Sequence, residues 1–422
     1  MTKHRLSRAG ALVSTALALG LSAGIAHAQP APTELKIGHL YASSGPIAST
    51  SMPVYDGLKL WVAEVNGQGG VFVKPFNKRI PIRLIAYDDQ SSTATATTLT
   101  NQLITQDKVD ILVGDTSSVM TSAEVPVARE HKILLFNPSG TGATLFSADN
   151  PYVVLCAVPA SIVWPRYLAE FLADDAAKAG VHRIALLYAT NDFTGPHADT
   201  LRKFIKASGD KLQIVYDQGV PTSTTAYTVP INNIAAAHPD AVIELGFPGN
   251  DIAFMRNLQD TGQNFRMLFT IYPGLETALL EKNVGKEELQ GVFTYVTGAA
   301  IDYTPNVGMT LAQFRQAWDK SFANSGDEFG WNSVVGYTTG LVVQQALANT
   351  DSMAQLDLRK AVFAQSGKLK TLDGTFALDE KGEQIGEITP IGQMQADGHG
   401  GLALKIVYPP EDANATPTFG KP

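Results

Sequence analysis

Short apolar runs alternate with amphipathic segments along most of the chain, and this alternation constrains the fold more than any other feature. The segments between the runs repeat apolar residues at spacings of three and four, as Tyr55, Leu58 and Val62 do, which is typical of helices. Near-continuous apolar strands separated by helices predict a parallel sheet that is covered on both faces. The predicted strands of the first series are Leu35–Tyr41, Ile80–Tyr87, Asp110–Gly114 and Lys132–Phe136.

The same alternation restarts after residue 160. The predicted strands of this second series are Arg183–Tyr188, Lys211–Tyr216, Ala241–Leu245 and Arg266–Ile271. Two series indicate two doubly wound domains, which agrees with a length of 422 residues. After one more strand, Gly291–Val296, the pattern predicts three helices near 309–323, 332–348 and 354–365, followed by short strands.

The N-terminus has the features of a secretory signal peptide. Lys3, Arg5 and Arg8 form a positive start, residues 9–25 are mostly apolar and small, and Ala26–Ala28 fits the small-x-small cleavage rule. A membrane anchor is the alternative interpretation, but the apolar segment is short and rich in alanine and glycine for a span. We therefore expect residues 1–28 to be removed and the protein to be exported.

Charge and cysteine content exclude several classes of protein. The net charge is −8 and no strongly basic block is present, which argues against nucleic acid as a partner. A single cysteine excludes an intrachain disulfide framework and a cysteine-based zinc cluster.

Signatures of exported enzymes are missing from the sequence. No HExxH motif and no GxxxxGK[ST] phosphate loop occurs, and the one GxSxG match, Gly20–Gly24, lies inside the predicted signal peptide. The carboxylate pair Asp88–Asp89 is interpreted as a helix cap in a solvated loop. We therefore expect no catalytic residue, no metal site and no cofactor.

Two hydroxyl-rich loops follow predicted strands of the first series. They are Gly114–Ser118 and Asn137–Thr141. Ligands of open α/β sheets bind at the carboxyl ends of strands, and helix N-termini favour anions there. The two loops are consistent with a carboxylate or phosphate clamp, and equally with ordinary N-capping by Ser and Thr.

An ordered set of motifs resembles the branched-chain amino-acid-binding protein family, the periplasmic solute receptors of ABC importers. The motifs are Gly38–Ala48, Glu64–Gly70, Tyr87–Asp89, Val113–Gly114, Asn137–Thr141 and Asp379–Gly382. The resemblance implies an α/β type I periplasmic-binding fold, with two doubly wound parallel-sheet lobes joined by three crossings. We expect the crossings near 158–161, 295–300 and 368–374, and closure of the lobes on the ligand by hinge motion.

The resemblance, together with the signal-peptide features and the Pro-, Ala- and Thr-rich C-terminus, predicts the division of the chain. The expected parts are a signal peptide (1–28), an N-terminal lobe (33–158 plus 298–370), a C-terminal lobe (159–297 plus 371–408) and a flexible tail (409–422).

The family's ligand contacts can be carried over to this chain position by position. In the family a serine and a threonine hold the ligand carboxylate, and they match Ser118 and Thr141. Phe193 matches an aromatic residue that packs over the ligand, while Phe247 and Tyr272 stand where the family has a tyrosine and a glutamate for the ligand's ammonium group. The full predicted set is Thr50, Ser117, Ser118, Ser139, Gly140, Thr141, Phe193, Phe247 and Tyr272.

These substitutions predict the class of ligand. A buried ammonium without an anion is costly, so the carboxylate end of the site looks preserved and the ammonium end does not. We expect a monomeric binding protein that delivers a small carboxylate, aromatic or aliphatic, to an ABC permease. The alternatives are an amino-acid receptor in which Glu244, Asp251 or Glu276 replaces the lost acid, and a ligand-sensing protein.

Three further features carry expectations: a pair of serines, a cysteine and two tryptophans. Ser91 and Ser117 match the cysteines of a disulfide found in well-known members of the family. Cys156 lies in an apolar run and is predicted to be a buried thiol. Trp164 and Trp331 belong either to the core or to the aromatic lining of the cleft.

Overall fold

A five-stranded parallel sheet forms the core of the first lobe, in the order β4-β1-β5-β6-β7. Strands β5, β6 and β7 are buried along their whole length, as near-continuous apolar runs require. The elements of this part are β1 (Leu35–Tyr41), α1 (Ala48–Gly67), β2 (Val71–Val73), β3 (Lys78–Ile80), β4 (Ile82–Asp88), α2 (Thr93–Thr105), β5 (Ile111–Val113), α3 (Ser118–His131), β6 (Leu135–Asn137) and β7 (Val153–Leu155).

The second lobe repeats this architecture around another sheet. Strands β8 to β12 are parallel, as the second series of apolar runs predicts. The elements are α4 (Arg166–Phe171), β8 (Arg183–Thr190), α5 (Thr194–Ala207), β9 (Gln213–Pro221), α6 (Thr228–Ala236), β10 (Ala241–Leu245), α7 (Pro248–Thr261), β11 (Met267–Phe269), α8 (Thr277–Val284), α9 (Lys286–Leu289) and β12 (Phe293–Tyr295).

The remainder of the chain contributes to both lobes. Strands β15 and β16 extend the second sheet antiparallel to β12, which gives the order β16-β15-β12-β11-β10-β8-β9. The elements are α10 (Leu311–Phe322), α11 (Trp331–Asn349), α12 (Gln355–Phe363), β13 (Lys370–Thr371), β14 (Gly374–Thr375), β15 (Ile391–Ala396) and β16 (Leu402–Tyr408).

Helix α11 packs directly on α1 of the first lobe through two glycines. A Cβ atom on Gly57 would lie 2.0 Å from the carbonyl oxygen of Ser333, and one on Gly336 would lie 1.9 Å from that of Val54. Only glycine permits this approach of two helix backbones. The contact fixes the first residue of α11, Trp331, close to the start of α1.

Three passages connect the lobes, between β7 and α4, between β12 and α10, and between β14 and β15. The first two contain the predicted crossings near 158–161 and 295–300. In the third, Leu155 N donates to Gly382 O at 2.9 Å and Ala160 N to Gln384 O at 2.8 Å. Residues 382–384 therefore still lie beside the last strand of the first sheet, and the chain crosses later than the predicted 368–374. The other lobe boundaries stay a prediction.

The C-terminal tail packs against the second sheet, contrary to the predicted flexible segment. Phe419 stacks on Phe293 with ring centroids 5.6 Å apart, and Gly420 N donates to Arg266 O at 2.6 Å. Gln393 Nε2 also donates to Thr418 O at 2.7 Å. The single aromatic residue of the tail anchors it, which its Pro-, Ala- and Thr-rich composition did not reveal.

The computed structural model describes residues 1–2, 30–327, 329–387 and 389–420. Almost all of the predicted signal peptide lies outside these described residues. Residues Pro32–Pro422 form one structural unit, to which both lobes belong. Within the described ranges, no helix is both long enough and apolar enough to span a bilayer.

Candidate ligand-binding cleft

A cavity lies where the carboxyl ends of the two sheets meet. Its walls come from loops that follow β5, β6, β7, β8, β10 and β11 and from the first turns of α1 and α11. This is the place where open α/β sheets bind ligands. The lining residues are Thr50, Thr116, Ser117, Ser139, Trp164, Phe193, Phe247, Tyr272, Leu275, Trp331 and Asn332.

The first-lobe wall of the cavity is formed largely by hydroxyl groups. Ser139 Oγ shares a hydrogen bond with Thr116 Oγ1 and accepts one from Ser117 N at 3.1 Å. Ser117 has a positive φ of 76° and caps α3, since its side chain accepts from Met120 N. The wall thus combines hydroxyl groups with the N-terminus of a 14-residue helix, an arrangement that favours an anion.

Ser118, Gly140 and Thr141 do not line the cavity, although the resemblance predicts ligand contacts for them. Ser118 Oγ accepts hydrogen bonds from Thr141 N and from Gly142 N, both at 3.0 Å, and is buried behind the wall. A Cβ atom on Gly142 would lie 2.4 Å from the carbonyl oxygen of Asp192 in the second lobe. The two lobes therefore meet at Gly142 and cover this loop.

The second-lobe wall is aromatic. Trp164 lies 5.4 Å from Phe193, and Phe193 lies 5.7 Å from Phe247, measured between ring centroids. Trp331 reaches across from the first lobe and meets Trp164 edge to face, at 5.4 Å and 80°. The sequence left both tryptophans open between core and cleft, and the structure puts both on the cavity wall.

A buried pair of carboxyl groups lies behind the aromatic wall. Asp251 Oδ2 accepts a hydrogen bond from Tyr272 N at 2.8 Å. Burial raises the pKa of Asp251 to about 6, and burial together with the negative charge of Asp251 raises the pKa of Glu244 well above its usual range. Neither side chain is part of the cavity lining.

The third candidate acid, Glu276, lies next to the cavity. Asn332 Nδ2, on the cavity wall, donates to Glu276 Oε1 at 3.2 Å. Asn332 and Leu275 also line a neighbouring cleft, which includes Glu276. Glu276 is therefore separated from the cavity by a single side chain.

The first lobe has its own buried carboxyl groups behind the hydroxyl wall. Thr116 N donates to Asp115 Oδ1 at 2.7 Å, and Asp115 N donates to Glu124 Oε1 at 3.0 Å. Burial raises the pKa of Glu124 to about 8 and that of the nearby Asp89 to about 6. Burial and the charge of Asp89 also raise the pKa of Asp115. Of the described residues, no cluster of His, Cys, Asp and Glu has an arrangement that would hold a metal ion.

A family model described as "Periplasmic binding protein" matches residues 34–399. The chain belongs to the periplasmic binding protein family. This periplasmic binding protein is 23% identical, over 408 residues, to Leu/Ile/Val-binding protein homolog 7 of Brucella suis biovar 1 (strain 1330). That alignment covers 93% of this chain and 96% of the relative. The family consists of binding proteins, and this member is assigned as a binding protein and not as an enzyme.

Solved structures resemble the periplasmic binding protein over most of its length. The branched-chain amino-acid transporter substrate-binding protein LivJ of Streptococcus pneumoniae, in complex with isoleucine, has a TM-score of 0.72 and 18% identity, covering 89% of this chain and 100% of that one. An ABC transporter solute-binding protein of R. palustris, in complex with 4-hydroxybenzoate, has a TM-score of 0.70 and 17% identity, covering 88% and 96%. These likenesses confirm the type I periplasmic-binding fold.

Six of the nine predicted site residues of the periplasmic binding protein line one cavity. They are Thr50, Ser117, Ser139, Phe193, Phe247 and Tyr272. The sequence reasoning missed Thr116, Leu275 and Asn332. For Thr116 a signal was available, since it lies inside the hydroxyl-rich loop Gly114–Ser118, whereas Leu275 and Asn332 carry no local pattern.

Serines stand at the two positions where well-known members of the resembling family have a disulfide, and both serines form hydrogen bonds. Ser91 Oγ donates to the carbonyl oxygen of Ser44 at 2.6 Å, and Ser117 caps α3. Cys156 is a free thiol, fully buried, and burial raises its pKa. The prediction of a buried core thiol is confirmed.

Proposed function

We propose that this periplasmic binding protein captures a small carboxylate with an aromatic or aliphatic body and delivers it to the permease of an ABC importer. One observation carries the proposal. Among the described residues, the side chains that line the cavity are hydroxyl, amide, aliphatic or aromatic, and none is charged. The ligand's own charge is then recognised by hydrogen-bond donors and by a helix N-terminus, which suits an anion.

Hydrogen-bond donors at the cavity support a carboxylate. Ser117 and Ser139 line the wall beside the first turn of α3, and hydroxyl groups there bind a carboxylate oxygen at little cost. Trp164 Nε1 is buried without a hydrogen-bond partner within the described part of the chain. Buried polar groups are normally paired, so an oxygen atom of the ligand would satisfy this indole N–H.

The aromatic wall supports a flat or bulky apolar body. Trp164, Phe193, Phe247 and Tyr272 come from the second lobe, and Trp331 from the first. Ring pairs at such distances contribute about 0.5–1.5 kcal/mol beyond the burial of their surface. A ring placed between the two lobes would bury surface against both, so that closure and binding favour each other.

The absence of a carboxylate on the wall argues against an amino acid. An ammonium group would lose its hydration in the cavity without a facing anion among the described lining residues. The R. palustris protein named above binds 4-hydroxybenzoate, which carries a carboxylate and a ring but no ammonium group. The LivJ ligand isoleucine carries both charges.

An amino-acid receptor with a relocated acid is the second candidate. The hydrogen bond between Asn332 and Glu276 favours it, because it joins the cavity wall to a carboxyl group one side chain away. A rotation of Asn332 would open a path from the cavity to Glu276. A ligand-sensing role is compatible with the same cavity, and genes for a permease and an ATPase beside this one would support transport.

A thermal-shift panel of matched pairs tests the proposal. Phenylalanine is compared with 3-phenylpropanoate, leucine with 4-methylpentanoate, and benzoate with benzamide. We expect the acids without an ammonium group to bind most tightly and therefore to raise the melting temperature most. A ligand at a concentration of ten times its Kd adds about 1.4 kcal/mol of apparent stability, which this assay detects. Larger shifts with leucine, isoleucine or valine than with their deaminated analogues would replace the proposal by the second candidate.

The remaining expectations belong to the same proposal. The protein is exported through a cleaved signal peptide, acts in the periplasm and works as a monomer. N-terminal sequencing of the mature protein should begin at Gln29, and sedimentation should give one copy of the chain with and without ligand.

A further inference from the structure

Trp331 lies between the ligand cavity and the segments that connect the lobes. It is the first residue of α11, which α1 holds in place, and its exposed fraction is 6%. Its ring forms part of the cavity wall on one side. On the other side it lines a chamber that also includes Pro159, Val296 and Pro390, one residue from each of the three passages.

A carboxyl group of the β13–β14 turn, directly before the third passage, fixes the orientation of the indole. Trp331 Nε1 donates to Asp373 Oδ1 at 3.1 Å. Asp373 is buried in the tight turn between β13 and β14, where its own N–H donates to Thr371 Oγ1 at 3.1 Å. The indole has a single donor and no acceptor, so this bond determines which way the ring faces.

The second passage packs against the same turn. A Cβ atom on Gly298 would lie 2.4 Å from the carbonyl oxygen of Leu372 and 2.8 Å from Asp373 Oδ1. The segment around Gly298 therefore touches the carboxyl group that holds Trp331. The Trp331 ring also meets Trp164, at the end of the first passage, in an edge-to-face pair.

We propose that Asp373 is a positioning residue for ligand binding. Its hydrogen bond links Trp331, which lines the cavity, to the passages that bend when the lobes close. The inference rests on the proposed function only in that the cavity binds a ligand. A ligand that packs on Trp331 then favours one arrangement of the β13–β14 turn, and with it the closed arrangement of the lobes.

Four variants test this coupling. They are Asp373→Ala, Asp373→Asn, Trp331→Phe and the double variant Asp373→Ala with Trp331→Phe. Asn keeps an acceptor oxygen for the indole, whereas Phe keeps a ring on the wall but has no N–H. Asp302→Ala is the matched control, since Asp302 is an exposed acid that lines the same chamber as Asp373.

Affinity is measured by calorimetry with two probes, benzoate and leucine. Loss of the hydrogen bond in Asp373→Ala should raise the Kd of the bound probe about tenfold, as should Trp331→Phe. The double variant should be no weaker than either single variant, because both remove the same bond. Asp373→Asn should stay within about threefold of the wild type, and Asp302→Ala should equal it.

Losses that multiply in the double variant would overturn the inference, as would an unchanged Kd for Asp373→Ala. An Asp302→Ala variant as weak as Asp373→Ala would also overturn it, since the effect would then be one of charge alone.

A readout without ligand separates this inference from the proposed function. Asp373→Ala should shift the tryptophan emission spectrum of the wild type but not that of Trp331→Phe. Equal shifts in both backgrounds would refute the positioning role. If neither probe binds the wild type, the proposed ligand class is wrong, and the emission comparison still decides the role of Asp373.

Discussion

The two walls of the cleft differ in chemistry although the two lobes share one architecture. The first-lobe wall presents the hydroxyl groups of Thr116, Ser117 and Ser139. The second-lobe wall presents aromatic rings, among them Phe193 and Phe247. Both walls follow the carboxyl ends of parallel strands, so the fold places the site while the loop residues decide what each half recognises.

The support behind the walls is alike in one respect and different in another. Each wall rests on buried carboxyl groups that accept backbone N–H groups of the wall, Asp115 behind Thr116 and Asp251 behind Tyr272. In the first lobe the pKa of Glu124 rises to about 8, whereas in the second lobe that of Asp251 rises to about 6. Burial also raises the pKa of Glu244 well above its usual range in the second lobe, so each lobe contains a buried acid that keeps its proton to higher pH than an exposed carboxyl does.

The largest expected effect concerns this difference in buried acids. A carboxyl whose folded-state pKa is raised contributes stability below its unfolded pKa and loses it as pH rises through the folded pKa. The pH range over which this stability is lost runs from 4.5 to about 8 for Glu124 and from 3.8 to about 6 for Asp251, which are the unfolded and folded pKa values. We expect the free energy of unfolding to fall by a few kcal/mol from pH 4.5 to 8, as measured by urea denaturation.

Two variants separate the lobes in this experiment. Glu124→Gln keeps the acceptor for Asp115 N and should flatten the slope between pH 6 and about 8. Asp251→Asn keeps an acceptor for Tyr272 N and should flatten only the part below about pH 6. Equal slopes in the wild type and in Glu124→Gln would contradict the assignment of the upper window.

The next effect concerns the aromatic wall. Phe247→Ala removes a ring that faces Phe193 and should weaken binding of an aromatic acid about a hundredfold, as at buried aromatic hot spots. Phe72→Ala, at a partly exposed phenylalanine of β2 away from the cleft, is the control and should leave Kd unchanged. Calorimetry on the folded fraction provides the measurement, and comparable losses in both variants would count against an aromatic site.

A smaller effect concerns the hydroxyl wall. Ser139→Ala removes a hydroxyl that bonds to Thr116 and to Ser117 N, and it should raise the Kd for benzoate about tenfold. The uncharged analogue benzamide should lose less affinity, because the amide group that replaces its carboxylate carries no charge to be recognised. If the acid and the amide lose the same affinity, the hydroxyl wall does not recognise the carboxylate.

The smallest effect sharpens the contrast between acids and amino acids. Phe247→Tyr introduces the tyrosine that the resemblance implies at this position. It should shift the ratio of the Kd values for phenylalanine and 3-phenylpropanoate a few-fold toward the amino acid, since one neutral hydroxyl only partly replaces an anion. Phe193→Tyr, on the same wall, should leave that ratio unchanged. An unchanged ratio in Phe247→Tyr would show that position 247 does not face the ammonium end.

Periodicity was sufficient for the two sheets but not for the last part of the chain. Buried parallel strands such as Ala241–Leu245 can be recognised in the sequence as apolar runs, because both faces of the sheet are covered. Residues 382–384 lack such a run, and their place beside Leu155 depends on backbone hydrogen bonds formed across the fold. In the tail, only the apolar ring of Phe419 indicates packing, and the rings that it contacts lie far away in sequence.

The site divides in a similar way. Ser117, Ser139 and Phe247 follow strands, so their position in the chain already places them at the cleft. Trp331 and Asn332 reach it only because α11 crosses α1 through Gly57 and Gly336. Ser118 and Thr141 follow strands too, yet Gly142 meets the second lobe and they remain behind the wall.

The sequence by itself determined the α/β class, the two sheets and the loops that hold most of the cavity-lining residues, because these depend on local periodicity and on turns that follow strands. Only the tertiary structure decided which hydroxyl groups face the cavity, that Trp164 and Trp331 belong to its lining, and that Asp373 holds Trp331. Those contacts join residues from different lobes and passages, and their pairing is set by how the lobes meet.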